Sequence, residues 1–163
     1  MLEELVASPG NEASLEEKVL TTRQREILKV ATTLDYKGDY RYHVGAVLGI
    51  AYNTVQNCTG EILKRFKVHD IFAAVLKTFQ LRLLSVDEIV AEGLSELKSK
   101  LEELPPVEKK VLRAFYDCAM ENGYANHVSV ASKLNTTEFI IRNTLHRTYL
   151  RLGVHNRAQL AVV

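Results

Sequence analysis

FIIRNTLHRTYLRLGVHNRAQLAVV, residues 139–163, is the stretch that decides the fold. Its apolar positions recur at helical spacing and predict a helix with one buried face, formed by Ile141, Leu145, Thr148 and Leu152. Gly153 is expected to end that helix, because glycine tolerates a positive φ. Asn156 can cap the next helix by accepting a bond from a free backbone N–H. The sequence therefore predicts a helix, a tight turn and a second, capped helix.

The opposite face of the first of these helices is basic and carries an amide. Its residues are Arg142, Asn143, His146 and Arg147. An arginine can bond guanine through two hydrogen bonds, and an asparagine can do the same with adenine. Thr136 or Thr137 can cap the helix, whose free N–H groups can also hold a phosphate oxygen. The pattern favours a helix that enters the major groove of DNA over an outer face that is simply solvated.

Several blocks of the sequence resemble the LuxR/GerE-type helix-turn-helix domain. The C-terminal copy contains VASKL at 130–134, IIRNT at 140–144 and YLRLGVHNRAQL at 149–160. An earlier copy contains LTTRQREIL at 20–28, VGAVLGI at 44–50, NTVQN at 53–57 and FKVHD at 66–70. The family has a scaffold helix, a positioning helix, a recognition helix and a fourth helix that often dimerises. The resemblance implies two tandem modules that bind double-stranded DNA, and a homodimer.

The repeat can be tested on the sequence itself. A shift of 86 positions superimposes six identical residues of the first copy on the second, namely Val44, Leu48, Asn57, Arg65, Val68 and His69. Their order agrees with the apolar periodicity, and the turn and the cap fall in register as well. Tandem duplication explains this agreement better than coincidence. The expected architecture is all-α, with two four-helix modules joined by an acidic linker helix.

The first copy departs from the second on its outer face. The candidate DNA contacts there are Thr54, Gln56, Asn57 and Lys64. Gly60 weakens a helix interior, and Glu61 repels phosphate. Gln56 and Asn57 can still read adenine, but close helix packing at Gly60 is an equal alternative. The second module is therefore the expected stronger DNA reader.

Charge divides the chain into four segments. The formal charge is −4 for residues 1–19, +5 for 20–84, −4 for 85–103 and +4 for 104–163. The overall charge of +1 hides this alternation. We interpret the segments as an acidic tail or short helix, a first module, an acidic linker helix and a second module. SVDE at 85–88 is a capping box that starts the linker helix.

The segment 71–84 predicts one long helix whose apolar residues wrap more than one face. Such a helix cannot remain at the surface. It must pack on the second module or on another chain, through residues such as Phe72, Val75, Leu76 and Phe79. A homodimer is the favoured interpretation, and internal pairing of the two modules would satisfy the same surface.

The sequence offers nothing typical of an enzyme or a metalloprotein. It has no Gly-rich phosphate loop, no arrangement of nucleophile and base, and no metal-ligand spacing among its five His and two Cys. No cofactor is expected. No apolar run is long enough for a membrane span, and Cys58 and Cys118 are too far apart in sequence to suggest a structural disulfide. We expect a cytoplasmic protein that associates with the nucleoid when bound.

The expected function is sequence-dependent DNA binding in transcription regulation. An alternative of a different class is an interaction protein in which one or both modules dock a partner. A further alternative is a promoter binder that resembles the end of bacterial sigma factors, against which the GVHNRAQL block at 153–160 argues. No block resembles the family's sensory domain, so a regulatory signal is expected to come through a partner protein, through abundance or through the acidic segments.

Overall fold

The computed structural model describes residues 19–33, 38–85, 88 and 94–161. Regular structure in these ranges is helical throughout, with no strand. The predicted all-α class is therefore confirmed. The acidic tail expected at residues 1–19 lies outside the described residues except for its last position.

The helices are, in chain order, α1 (Thr22–Thr33), α2 (Tyr40–Leu48), α3 (Tyr52–Phe66), α4 (Ile71–Gln80), α5 (Leu94–Glu102), α6 (Pro106–Asn122), α7 (His127–Lys133), α8 (Glu138–Leu152) and α9 (Arg157–Leu160).

The helix boundaries repeat along the chain. Helices α3 and α8 have 15 residues each, and their first residues are 86 positions apart. The turns that precede them also match, because Gly49 (φ 63°) and Asn135 (φ 50°) both have a left-handed backbone. Helices α1 and α6 begin 84 positions apart. The second copy therefore has two more residues between the start of its first helix and the start of its third.

Equivalent caps open the fourth helix of each copy. Asp70 Oδ1 accepts a hydrogen bond from the backbone N of Ala73 at 2.7 Å. Asn156 Oδ1 accepts one from the backbone N of Gln159 at 2.9 Å. Each bond satisfies an N–H group that the first turn of a helix leaves unpaired. The chain thus enters α4 and α9 in the same way.

The fourth helix of each copy packs on the first helix of the other copy. Helix α4 lies against α6, where the ring centroids of Phe72 and Phe115 are 5.1 Å apart. Helix α9 lies against α1, where Ala158 joins an apolar cluster with Ile27 and Ala31. Helices α4 and α9 also contact each other. The two predicted modules are therefore one packed unit.

A polar contact reinforces this junction. The backbone N of His69 donates to the carbonyl of Gly123 at 2.6 Å, and the backbone N of Ala125 donates to Asp70 Oδ2 at 3.3 Å. Gly123 has φ 71°, and a Cβ there would lie 3.0 Å from the carbonyl oxygen of Lys67. The loop after α6 can approach the turn before α4 because this position is glycine.

The residues expected to pack between modules or between subunits lie on the junction face of α4. Phe72 and Val75 are fully buried, while Leu76 and Phe79 are partly buried against the same core. The Phe72 ring also lies 5.5 Å from that of Tyr116. This face packs on the second copy within one chain. The apolar surface that favoured a homodimer is thus already covered.

The prediction of one long helix over 71–84 is wrong at its C-terminal end. Helix α4 ends at Gln80, and Arg82 then adopts φ 55°. The backbone N of Leu83 bonds the carbonyl of Thr78 at 2.8 Å, and Leu84 turns inward to 2% exposure. Apolar residues at the end of this segment fill the core from a turn, so their hydrophobicity alone could not define the helix end.

Helix α2 begins before the VGAVLGI block at 44–50. It starts at Tyr40 because Asp39 caps it. Asp39 Oδ1 accepts a bond from the backbone N of Arg41 at 3.1 Å. Residues 40–43 are therefore helical.

The acidic connector is partly described. The predicted capping box is present, since the backbone N of Ser85 donates to Glu88 Oε2 at 2.8 Å and that of Glu88 donates to Ser85 Oγ at 3.2 Å. Glu88 Oε1 also lies 3.6 Å from Lys29 Nζ on α1. Further along, α5 packs on α8. Continuity of one linker helix across 89–93 lies outside the described residues.

Candidate nucleic-acid interface

Helix α8 is held by its apolar face. Four of its residues at helical spacing are buried, as the sequence predicted, namely Ile141, Leu145, Thr148 and Leu152. They pack toward α6 and α7. Gly153 ends the helix with φ 70°. This packing fixes the rotation of α8 about its axis and leaves the opposite face in solvent.

The predicted base-reading residues share that solvent face. Arg142, Asn143, His146 and Arg147 are all exposed. A shallow groove of about 420 Å³ runs along them and is lined by Ile140, Asn143, Thr144, His146 and Arg147. At the start of α8, exposed Thr137 accepts a hydrogen bond from the backbone N of Ile140 at 3.4 Å. The structure brings these candidates together on one helix face.

Arg142 has a partner on its own helix. Its Nη2 lies 2.5 Å from Glu138 Oε1, one turn earlier. Both side chains are well exposed, so the pair contributes little to stability. A carboxylate in the first turn also opposes the approach of a phosphate. Arg142 would have to leave Glu138, or share it, to contact a base or a phosphate.

The sequence pattern did not identify the exposed apolar residues on this face. Phe139 is 72% exposed, Leu150 is 69% exposed and Ile140 is 48% exposed. The spacing could have identified them, because all three fall outside the buried face that contains Ile141 and Leu145. Large apolar side chains in such places are typical of a contact surface.

Arg151 also lies on α8, but it forms an ion pair with an acidic residue of α6. Its Nε is 3.3 Å from Glu108 Oε1 on α6, and the Glu108 side chain is 4% exposed. The arginine thereby compensates a buried carboxylate. Its positive charge is therefore partly compensated within the fold.

The first copy presents a different surface. Its candidate residues Thr54, Gln56, Asn57 and Lys64 are exposed on α3. A Cβ added to Gly60 would meet nothing within 4 Å. The alternative of close helix packing at Gly60 is therefore wrong for the described residues, because the position faces open space.

Glu61 of the first copy is held by a residue of α1. Gln24 Nε2 donates to Glu61 Oε2 at 3.2 Å, although Gln24 itself is 1% exposed. Gln24 Oε1 also accepts a bond from Arg65 Nη1 at 3.4 Å. A carboxylate fixed here leaves the middle of the α3 surface without the cations found on α8.

A charged and aromatic cluster stands at the start of α2 and α3. Arg41 Nη2 lies 2.8 Å from Asp39 Oδ2, and the Arg41 guanidinium carbon is 5.2 Å from the centroid of the Tyr52 ring. The Tyr52 hydroxyl bonds Asp39 Oδ2 at 3.0 Å. The hydrogen bond from Arg41 is the main reason that the pKa of Asp39 falls to about 2. Here the Arg41 guanidinium binds Asp39, the residue that caps α2.

Comparison with protein-family models, with curated proteins and with solved structures finds no significant match to this chain. None of the described helices has both the length and the apolar character that a membrane span needs. Among the same residues, no three or more His, Cys, Asp or Glu side chains gather in a way that could hold a metal ion.

Proposed function

We propose that the protein is a sequence-dependent DNA-binding protein of transcription regulation, in which α8 enters the major groove. The observation that carries the proposal is the shared exposure of Arg142, Asn143, His146 and Arg147 on one face of a helix whose other face is buried. These are side chains that pair with base edges and phosphates. Helix α7 and the turn at Asn135 precede α8 as a positioning helix precedes a recognition helix.

The second copy is the proposed principal reader. Its surface offers cations and an amide, whereas α3 offers Gln56 and Asn57 beside a fixed carboxylate at Glu61. A second chain is not needed to cover α4, since its apolar face packs within the chain. We therefore propose one chain as the DNA-binding unit, acting in the cytoplasm at the nucleoid.

A second candidate function has its own support. Phe139, Ile140 and Leu150 expose apolar surface beside the polar face of α8. A protein partner would cover such residues, and aromatic side chains are common anchors in protein interfaces. The alternative is therefore a docking module that uses the same helix for a regulatory protein partner. Within the DNA proposal, the same side chains would contact thymine methyl groups.

The test begins with selection of bound duplexes from a random pool, followed by fluorescence anisotropy on the selected site. Arg142→Ala should weaken binding at least about tenfold, because a lost bidentate base contact costs about 1–3 kcal/mol. Gln56→Ala, the equivalent substitution in the first copy, should do less. Circular dichroism would check that each variant remains folded.

The outcomes separate the candidates. Equal losses would mean that both helices read DNA, and a larger loss from Gln56→Ala would reverse the assignment of the principal reader. If the wild-type protein selects no duplex even at low salt, where phosphate contacts are strongest, the DNA proposal fails and the docking function takes its place.

A further inference from the structure

A second groove, of about 320 Å³, lies beside the face of α8. Three parts of the second copy line it: the start of α7, the middle of α8 and the turn into α9. The lining has two arginines, three histidines and no carboxylate; its polar members include His127, Arg142, His146, Tyr149, His155 and Arg157. Such a composition favours an anion.

Arg157 is fixed at the edge of this groove. Its Nη1 donates to the carbonyl of Ala125 at 3.3 Å, and its guanidinium carbon lies 5.8 Å from the centroid of the Phe115 ring. The side chain is only partly exposed. A guanidinium held in this way needs little ordering before it binds an oxyanion.

The pKa of His127 is sensitive to the positive charges around the groove. Burial lowers the pKa of this imidazole, and the cations of Arg157 and Arg142 lower it further, while Glu138 acts in the opposite direction. Proton uptake by His127 is thus disfavoured in this arrangement. Glu138 already pairs with Arg142, so an anion among these side chains would offset chiefly the charge of Arg157, and its binding should be coupled to protonation of His127.

The first copy has the same helices without this composition. At the shift of 86 positions, His146 and Arg157 correspond to Gly60 and Ile71. Asn156 corresponds to Asp70, a carboxylate that accepts backbone hydrogen bonds at 2.7 Å and 3.3 Å. The repeated backbone folds without a basic groove in the first copy. The basic residues of the second copy are therefore not required by the fold, which is consistent with a binding role.

We propose that this groove binds a phosphate group, held by Arg142, His146 and Arg157, and that His127 takes up a proton as the phosphate enters. Two sources would supply the same chemistry: a backbone phosphate of DNA lying along α8, or a small phosphorylated molecule. The DNA source rests on the proposed function, whereas the small molecule does not. A phosphate of the DNA backbone keeps its charge through the range where histidine titrates, so its binding should strengthen as pH falls through that range.

The charged and titratable groups around His127 define the experiment. Arg142, His146, Tyr149 and nearby Glu138 come from α8, while His155 and Arg157 come from the α8–α9 turn and α9. The full chain, labelled at histidine, would be titrated by NMR from about pH 5 to 8, in inorganic phosphate and in chloride of matched ionic strength. Phosphate should raise the His127 midpoint by about one unit relative to chloride.

Two matched substitutions locate the effect. His127→Gln keeps a hydrogen-bonding side chain but removes the proton-binding group, and it should weaken phosphate binding several-fold near pH 6. His69→Gln is the control, since His69 lies outside the groove and contacts the Tyr124 ring edge to face, with the ring centroids 6.0 Å apart. His146→Gln offers a second groove variant should His127→Gln fail to fold. Equal effects of the groove and control variants would overturn the proposal.

A further arm adds a short duplex to the phosphate-bound protein. Displacement of phosphate by the duplex identifies the DNA backbone as the source. Phosphate binding without duplex binding identifies a small phosphorylated molecule as the source. In that outcome the proposed DNA function fails while the groove proposal stands. A His127 midpoint that phosphate moves no more than chloride does would overturn the groove proposal, even if the duplex still binds through the face of α8.

Discussion

Arg151 and Glu108 form an ion pair that joins α8 to α6, with Nε 3.3 Å from Oε1. Glu108 is 3% exposed, and Thr148 Oγ1 lies 3.4 Å from its Oε2. In the first copy the equivalent contact joins Arg65 Nη1 to Gln24 Oε1 at 3.4 Å. The same structural place thus accepts either a carboxylate or an amide.

This equivalence predicts unequal costs for two substitutions. Glu108→Gln should lower the free energy of unfolding by less than about 1 kcal/mol, because a glutamine already serves at this place in the first copy. Arg151→Ala should lower it by about 1–3 kcal/mol, since it leaves a buried carboxylate without its cation. Urea unfolding followed by circular dichroism measures both. The double variant should recover part of the Arg151→Ala loss, and a larger loss from Glu108→Gln alone would contradict the argument.

The shared core predicts that the two copies unfold together. Phe72→Ala should lower the free energy of unfolding by about 3–5 kcal/mol, the usual cost of removing a buried phenylalanine side chain. The loss should appear as one cooperative transition, because Phe72 contacts Phe115 and Tyr116 of the other copy. Differential scanning calorimetry provides the measurement, with light scattering to follow the mass. Two separated transitions, or a wild-type dimer that Phe72→Ala dissociates, would refute internal packing.

Sequence patterns located most of the helices because the helical periodicity of the core is local. The stripe of Ile141 and Leu145 and the caps at Asp70 and Asn156 are readable from a few neighbouring residues. The sequence could not identify the surface on which α4 packs, because its apolar face could pack on another subunit as well as on the second module. Only the three-dimensional packing of Phe72 on Phe115 decides between them.

The candidate site was predictable only in part. Spacing identified Arg142 and His146 as outward-facing, because a helix with a known buried face fixes the opposite one. It did not reveal that Arg157 and His127 line one groove, since these residues are 30 positions apart in the sequence. Nor did it show that Glu108 engages Arg151 across two helices.

Two glycines of the first copy should respond oppositely to alanine. At Gly60 a Cβ meets nothing within 4 Å, so Gly60→Ala should stabilise α3 by about 0.5–1 kcal/mol through helix propensity. At Gly45 a Cβ would lie 2.8 Å from the carbonyl oxygen of Ile50, so Gly45→Ala should destabilise the protein. Thermal and urea unfolding of the pair tests both signs. Destabilisation by Gly60→Ala would mean that α3 has a neighbour on that side.

The cluster at Asp39 predicts a pH dependence of stability. Its hydrogen bond with Arg41 lowers the Asp39 pKa from 3.8 to about 2. The carboxylate therefore stabilises the fold above about pH 4, and this contribution is lost as pH falls toward 2. We expect Asp39→Asn to cost on the order of 1 kcal/mol at neutral pH, after allowance for solvent screening.

The measurement for Asp39 compares unfolding of wild type and Asp39→Asn across that acidic range. Asparagine also caps helices, so the variant isolates the charge from the cap. The difference between the two proteins should shrink as pH falls toward 2, because Asp39 becomes protonated in the wild type, whereas the other carboxylates titrate in both proteins and cancel. A difference that stays constant from neutral to acidic pH would show that the Asp39 charge contributes nothing.

The last prediction uses one carboxylate from each copy. Glu138 binds Arg142 on α8 with 2.5 Å between Oε1 and Nη2, and Glu61 on α3 is bound by Gln24. If α8 faces DNA, Glu138→Gln should strengthen binding about two- to fivefold, because it frees a cation and removes a repulsive charge near the phosphates, worth about 0.5–1 kcal/mol. Glu61→Gln changes the net charge equally and serves as the control. Anisotropy on one selected duplex at two salt concentrations compares them. A gain from Glu61→Gln that equals or exceeds the gain from Glu138→Gln would assign the DNA-facing surface to α3, or to the overall charge of the chain rather than to α8.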